Sequence, residues 1–501
     1  MSLVAATDFD IAPARPLVPP LVLAALCVAL ADWLFYGWQA GISLALFLGV
    51  LGCVAVYSNR VHAMRKTRMI MTTILAAGLL AIAEDTNFLS VVAGTLATAM
   101  FIIVMTGRHT TSWQRQLFEA ATVPFRGPFQ FFGDSIGALR HMKIWTPAWL
   151  GWLVAWIVPL CVFAIFLALF SSANPLIEYR LMQIDLRWLF ALFDSWRLAF
   201  WVFIICMIWP LIRRRIKPKA ALQSDPHPTV ATEVSELDYL LGARAMTRSL
   251  VLFNALFALQ TMLDLTCLWG GATLPDRMSY AEYAHRGAYP LIATALLAAG
   301  FVLVAMRPGG PAENSRLIRP LVLIFVVQNV LLVISSIFRL DLYIAAYSLT
   351  YWRLAGFIWM GLVAAGLLLI LIQIIQRKPN SWLITANAAT LALVLYGCCF
   401  INAPSLIASY NLEHSGAAGG KGPYLDQKYL VSLGPQAIPA LEAYVGQIPA
   451  LRPIIQDYRQ NYYAQKPLRN WRAWSFRSWR LERYLTNHPD TSSNPSRSNA
   501  G

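Results

Sequence analysis

Charge is scarce in this sequence. Asp, Glu, Lys and Arg make up 13% of its 501 residues, where soluble domains carry about 25%, so a string of soluble domains is excluded. Acidic side chains are the scarcer kind, 25 against 40 basic ones, which leaves a formal net charge of +15. The seven cysteines (Cys27, Cys53, Cys161, Cys206, Cys267, Cys398 and Cys399) form no CxxC pair and lie in or beside apolar stretches. They read as small buried hydrophobes, and a disulfide framework is not supported. The seven histidines are scattered, with no metal-ligand spacing, so no metal is expected. Walker A, GxGxxG, HExxH and GxSxG patterns are all missing. An ATPase, a nicotinamide enzyme and a zinc protease are therefore disfavoured, and no cofactor is expected.

What the chain has instead is apolar length. Hydrophobic residues are 58% of it and the mean hydropathy is +0.54. About 20 apolar helical residues cross a hydrocarbon core about 30 Å thick. Eleven stretches qualify, near 18–36, 40–58, 69–83, 88–106, 147–170, 196–212, 249–269, 288–306, 320–338, 354–375 and 382–401. The third is the shortest; it ends at Glu84-Asp85 and is expected to tilt little or to be partly re-entrant. Met1–Pro20 carries Asp8 and Asp10 and no basic run of a secretory signal, so the first stretch reads as a retained helix. The fold class is all-α: a polytopic membrane bundle of about eleven helices with a small helical C-terminal extramembrane region. With the N-terminus inside, the basic residues concentrate in the inner loops, as the positive-inside rule asks. An odd span count then puts the tail outside.

Six segments follow. Residues 1–212 form a six-helix membrane half, 213–245 a basic cytoplasmic linker opening on Arg213-Arg214-Arg215, and 246–412 a five-helix half. Residues 413–423 read as a flexible connector, 424–486 as a small helical tail domain, and 487–501, rich in Ser, Asn and Pro, as disordered. No repeat relates the halves, so an inverted-repeat transporter is not indicated. Between the fourth and fifth spans, 107–146 mixes Trp113, Phe118, Phe125, Phe129, Phe131 and Phe132 with basic residues. It suits either an inner-interface segment or a loop packed under the bundle. In the tail, Tyr429, Leu433, Ile438 and Leu441 can line one face of a short helical pair.

Several strings carry a resemblance. They are Tyr280–Leu291 (YAEYAHRGAYPL), Arg339–Tyr343 (RLDLY) with Ala346–Thr350 (AYSLT), Ser409–Leu412 (SYNL) and Leu425–Leu430 (LDQKYL). Together they resemble the bacterial multi-pass membrane proteins grouped as domain of unknown function 4173, with its relative 4153. The resemblance covers roughly residues 245–435, and the first half only as apolar spans with basic loops. It departs from the usual aromatic pattern after Arg286-Gly287, where Ala288-Tyr289 stands. It implies a fold type and an inner-membrane location and transfers no catalytic residue.

In the expected topology these strings face outward. The cluster comprises Asp264, Glu282, His285, Arg286, Arg339, Asp341, Tyr343 and Arg353. Asp264 lies near the outer end of its helix, with Gln260 one turn earlier on the same face. A carboxylate at that depth needs a partner, and Arg339 or Arg286 can supply it. Two alternatives stand: structural ion pairs and helix caps, or a site for an anionic group held by paired arginines. His285 beside Glu282 would serve proton transfer. In the tail, Arg469, Trp471, Arg472, Trp474, Trp479 and Arg480 alternate guanidinium and indole groups, suited to a membrane surface or to self-packing. Three classes remain: a non-catalytic envelope scaffold or accessory protein, favoured because no chemical motif is visible; a transporter or lipid-handling permease; and an envelope enzyme on a lipid-linked substrate. The partners expected are the bilayer, anionic lipid headgroups and a protein docked on the tail, with no nucleic acid.

Overall fold

The computed structural model describes residues 18–59, 61–107, 112–141, 195–214, 243–266, 317–419, 422–464 and 470–489, with 156, 159, 162, 163 and 297 besides. Every described element is a helix, and the protein is an all-α multi-pass membrane protein. Seven described helices are long and apolar enough to cross a membrane, and two shorter apolar ones accompany them. The expected count of eleven is not established. Its fifth and eighth stretches, 147–170 and 288–306, fall almost wholly outside the described residues.

The chain divides into two compact units, residues 1–222 with 468–476, and residues 223–467 with 477–501. The first holds α1 (Val18–Phe35), α2 (Ile42–Asn59), α3 (Arg65–Glu84), α4 (Phe88–Thr106), α5 (Trp113–His141) and α6 (Ser195–Ile212). Prolines 19 and 20 sit in the first turn of α1, where their missing N–H groups cost nothing. Ala24, Cys27, Ala31 and Leu34 recur at helical spacing and are fully buried, so they face α2 and α6. The third helix departs from expectation: α3 begins at Arg65 and has 20 residues, about 30 Å at 1.5 Å per residue. Arg65, Lys66 and Arg68 extend its first turn while staying exposed. It turns into α4 at Asn87, which caps α4 by accepting from the Ser90 N–H at 3.0 Å, while Asn87 N–H donates to Ser90 Oγ at 3.1 Å. The two helices then pack closely, since a Cβ on Gly78 would stand 2.7 Å from that of Ala97.

The second unit holds α7 (Ala243–Asp264), α8 (Ile318–Tyr347), α9 (Tyr351–Gln376), α10 (Asn380–Cys398) and the shorter α11 (Ala403–His414), α12 (Gln427–Ser432), α13 (Ile438–Tyr444), α14 (Arg452–Ala464) and α15 (Phe476–Asn487). A buried apolar cluster runs from Leu250 and Phe325 through Ile370 and Ile407 to Leu441 and Leu485. The helix α8 corrects the expected outer loop 338–353. Its 30 residues run through Arg339, Asp341 and Tyr343 to Tyr347, because no Gly and no Pro follows Pro320 in its first turn. Only Ser348–Thr350 link it to α9. In the tail, Leu433, Ile438 and Leu441 are buried together and Tyr429 packs against them. The Tyr458 hydroxyl donates to Leu430 O at 2.5 Å and accepts from Gly434 N–H at 2.8 Å, which pins the Gly434-Pro435 break. Residues 413–423 hold a 3-10 turn at Gly416–Ala418, and the Gly422 N–H donates to His414 O at 3.1 Å.

Candidate functional site

The most deeply buried charges of the expected cluster meet between α7 and α8. Asp264 is 2% exposed and Arg339 3%. The Arg339 guanidinium donates to Asp264 Oδ1. Gln260 Nε2 donates to the same oxygen at 2.9 Å, and Ser335 Oγ donates to Oδ2 at 2.6 Å. Each helix contributes two residues one turn apart, Gln260 with Asp264 and Ser335 with Arg339, so the four close a square. A carboxylate in an apolar bundle persists only when paired and hydrogen-bonded, and among the described residues three donors serve that need. Gln260 was legible as a companion of Asp264. Ser335 was not singled out from sequence, although its place one turn before Arg339 marks it.

Arg353 lies on α9, at the other side of the Ser348–Thr350 link. Its guanidinium donates to Tyr347 O at 2.5 Å and to Ser348 O, and stands over the Tyr343 ring at 4.5 Å and the Tyr347 ring at 5.9 Å. It therefore satisfies carbonyls at the end of α8, where cations are favoured. Ser348 adopts a φ of +69°, which is costly for a residue with a Cβ. Asn411 of α11 clamps the same turn: its Nδ2 donates to Leu349 O at 2.9 Å, and its Oδ1 accepts from Leu349 N–H at 2.6 Å. Asp341 is exposed on α8 and helps to raise the Tyr410 pKa, after burial of that phenol. Glu282, His285 and Arg286 lie outside the described residues.

The tail residues separate between the units. In the first unit, Asn470–Trp474 straps the turn between α1 and α2. Arg472 stands 4.7, 5.1 and 5.3 Å from the rings of Trp33, Trp38 and Trp471, and Ile42 N–H donates to Trp474 O at 2.7 Å. Gly41 is required here, because a Cβ would run into the Ala473 backbone. In the second unit, Trp479 and Arg480 are exposed on α15. Arg469 lies outside the described residues.

Three polar centres were not anticipated. At one end of the first unit, Asn59 Nδ2 donates to Leu211 O at 2.8 Å and Ile212 O at 2.9 Å, and its Oδ1 accepts from Arg214 N–H at 2.9 Å. Arg214 in turn donates to Ile103 O at 2.6 Å, Thr106 Oγ1 at 2.9 Å and Glu119 at 3.1 Å, so the ends of α2, α4 and α6 are tied to α5. At the opposite end, Asp32 accepts from Arg197 at 2.9 and 2.5 Å and from Trp201 Nε1 at 2.8 Å. In the tail, Glu442 accepts from Arg459 at 3.0 and 2.5 Å and from the Tyr484 hydroxyl at 3.0 Å. Burial, then the hydrogen bond to Glu442 and its charge, push the Tyr484 pKa up to about 12. An open cavity of about 560 Å³ adjoins this centre, with Arg452 and His488 on its wall. No group of three or more potential metal ligands occurs among the described residues.

Compared with curated proteins and with solved structures, the chain finds no match. A family model described as "Domain of unknown function (DUF4153)" matches residues 69–444. The match enters the first half well before residue 245, where the sequence resemblance starts. It also takes in the Asp264 square, the Arg353 clamp, Arg214 with its partners on α4 and α5, and Glu442, though not Asn59, Asp32 or the tail strap. With most of its length matched, the chain belongs to the DUF4153 family of unknown function.

Proposed function

We propose that this protein is a non-catalytic scaffold or accessory protein of the bacterial inner membrane, with its N-terminus cytoplasmic and its tail outside. The motifs at 280–291 and 339–350 support kinship with the 4173 group as well. The observation that carries the reading is how the described residues of the charge cluster are paired. Among the described residues, Asp264 has three side-chain donors, from neighbouring turns of two helices. Arg353 is committed to the α8 terminus and Asn411 to the Leu349 backbone. These groups hold the fold, and a ligand would have to displace a partner from each. The orientation is supported by the first unit. Its strap Asn470–Trp474 lies at the α1–α2 turn, while Arg65, Lys66 and Arg68 begin α3 at the other end.

The test is purification of the intact protein in mild detergent, followed by native mass spectrometry and by the same measurement on a variant truncated after His414. A stoichiometric protein partner, lost on truncation, is the expected result. A wild-type protein that binds no partner, but moves or turns over a substrate in an Asp264-dependent way, would replace the scaffold with a transporter or an enzyme.

A further inference from the structure

The helix α5 has two faces of opposite character. One packs on α6 and α4. Phe131 meets Trp209 edge-on at 5.5 Å, Trp209 Nε1 donates to Asp134 at 3.0 Å, and Gln130 Nε2 donates to Arg213 O at 2.6 Å. The other face exposes Phe118, Phe125 and Phe129 by 64%, 75% and 83%. At about 100° per residue these three fall within about 40° of each other and nearly opposite the packed residues. Arg115 and Arg126, both exposed, lie about 80–100° round the helix from Phe125.

The position of α5 says what this face meets. Four of its contacts with α6 and the residues just after it, Glu119 with Arg214, Gly127 with Cys206, Gln130 with Arg213 and Asp134 with Trp209, span about 22 Å of α5, yet fall on residues 206–214, about 12 Å of chain. So α5 crosses α6 at a steep angle. It lies on the flank of α6 and not above its end. Gly127 touches the Cys206 carbonyl so closely that a Cβ would not fit, and Cys206 is six residues, about 9 Å, before Ile212. A helix crossing the bundle at that depth turns its outer face sideways, at the headgroup–acyl boundary, where interfacial helices bury their apolar side by about 5–10 Å. The adjoining end is also the basic one, with Arg65, Lys66 and Arg68 exposed.

We propose that α5 is an in-plane membrane helix that seats Phe118, Phe125 and Phe129 in the leaflet on the basic side of the bundle, with Arg115 and Arg126 on anionic phospholipid headgroups. A shallow hollow of about 490 Å³ bounded by Thr122, Phe125, Arg126, Phe129 and Gln130 gives one lipid its place. Aromatic wedge and guanidinium rim are the chemistry that an anionic lipid surface recognises. This surface is independent of the scaffold reading and stands or falls without it.

The test uses the full chain in nanodiscs of phosphatidylcholine and phosphatidylglycerol, with a photoreactive benzoylphenylalanine at Phe125 or Phe129 and, as control, at Phe131. Mass spectrometry of the irradiated protein should show adducts of one lipid mass at positions 125 and 129 and none at 131. Phosphatidylglycerol should be enriched among the adducts over its share in the disc. Each arginine near an anionic surface contributes up to about fivefold, so Arg115→Gln with Arg126→Gln should bring the enrichment back towards the bulk ratio. That pair of exposed substitutions leaves the packed face intact. Cross-links to a second copy, or no lipid adduct at 125 and 129, would overturn the proposal. Lipid adducts with no enrichment in the wild type would overturn the anionic part of it.

Discussion

Removing the Asp264 carboxylate charge, as in Asp264→Asn, leaves the Arg339 guanidinium 3% exposed with no counter-charge from Asp264. Breaking a buried pair from one side costs about 3–5 kcal/mol. A charge at the centre of a membrane helix costs about 2.5–3.5 kcal/mol on insertion scales. Both routes put Asp264→Asn, Asp264→Leu and Arg339→Met near 3 kcal/mol of destabilisation each. The double variant Asp264→Leu/Arg339→Met removes both charges and both desolvation penalties, and such apolar replacements are often neutral. Its residual cost is the lost acceptor for Ser335 and Gln260, about 0.6 kcal/mol per membrane hydrogen bond. The two substitutions should therefore couple by about 3 kcal/mol or more. The assay is a denaturant titration in lipid bicelles of wild type, Asp264→Leu, Arg339→Met and their double variant, with Asp264→Asn alongside, followed by circular dichroism of the helices. An Asp264→Asn protein within about 1 kcal/mol of wild type would refute the reasoning, since surface pairs fall in that range. So would a double variant as damaged as the sum of the singles.

Three other outcomes follow from the remaining centres. Asn59→Ala strips hydrogen bonds from two carbonyls and one N–H at the C-terminal end of α6 and should destabilise the first unit by about 1–3 kcal/mol for each buried group left unsatisfied, read as a lower midpoint in the same titration. Arg472→Ala removes three cation–π contacts, worth about 0.5–1 kcal/mol each at exposed sites. It should speed amide exchange at Ile42, whose N–H donates to Trp474 O; unchanged exchange would mean that the strap is held by something else. Tyr484 keeps its proton more tightly in the folded tail, with a pKa near 12 against an ordinary value of 10.0. Its contribution is therefore fully present below pH 10 and lost as pH rises through 12. Wild type should lose stability across that window relative to Tyr484→Phe, and parallel curves would contradict the Glu442 contact.

The spans were legible because a bilayer demands runs of apolar residues, and α1, α2, α4, α6, α9 and α10 begin and end within a few residues of those runs. Where polar residues extend a helix, the runs mislead. Arg65–Arg68 lengthen α3 at its start, and Arg339-Leu-Asp-Leu-Tyr343 carries α8 on through what reads as a loop. Hydropathy records what a side chain costs in lipid, whereas the helix continues until a breaker stops it. Asp264 stood out as an intramembrane carboxylate, and Arg339 was one of two partners open to it. Choosing between them needs the α7–α8 register. Asn59 and Arg214 are 155 residues apart, and neither is unusual in its own segment. Their juxtaposition exists only once α2 and α6 are packed. The tail strap was visible as an Arg-Trp alternation, but its partners Trp33 and Trp38 lie in the first helix hairpin, more than 400 residues earlier.

The central claim is that the charges of Asp264 and Arg339 serve the fold and not a ligand. Native mass spectrometry of protein released from lipid nanodiscs, comparing wild type with Asp264→Leu/Arg339→Met, tests it most directly. The same bound lipids and the same protein partner are expected in both. A phospholipid or lipid-linked headgroup that wild type retains and the double variant alone loses would contradict it, and would make the α7–α8 square a binding site.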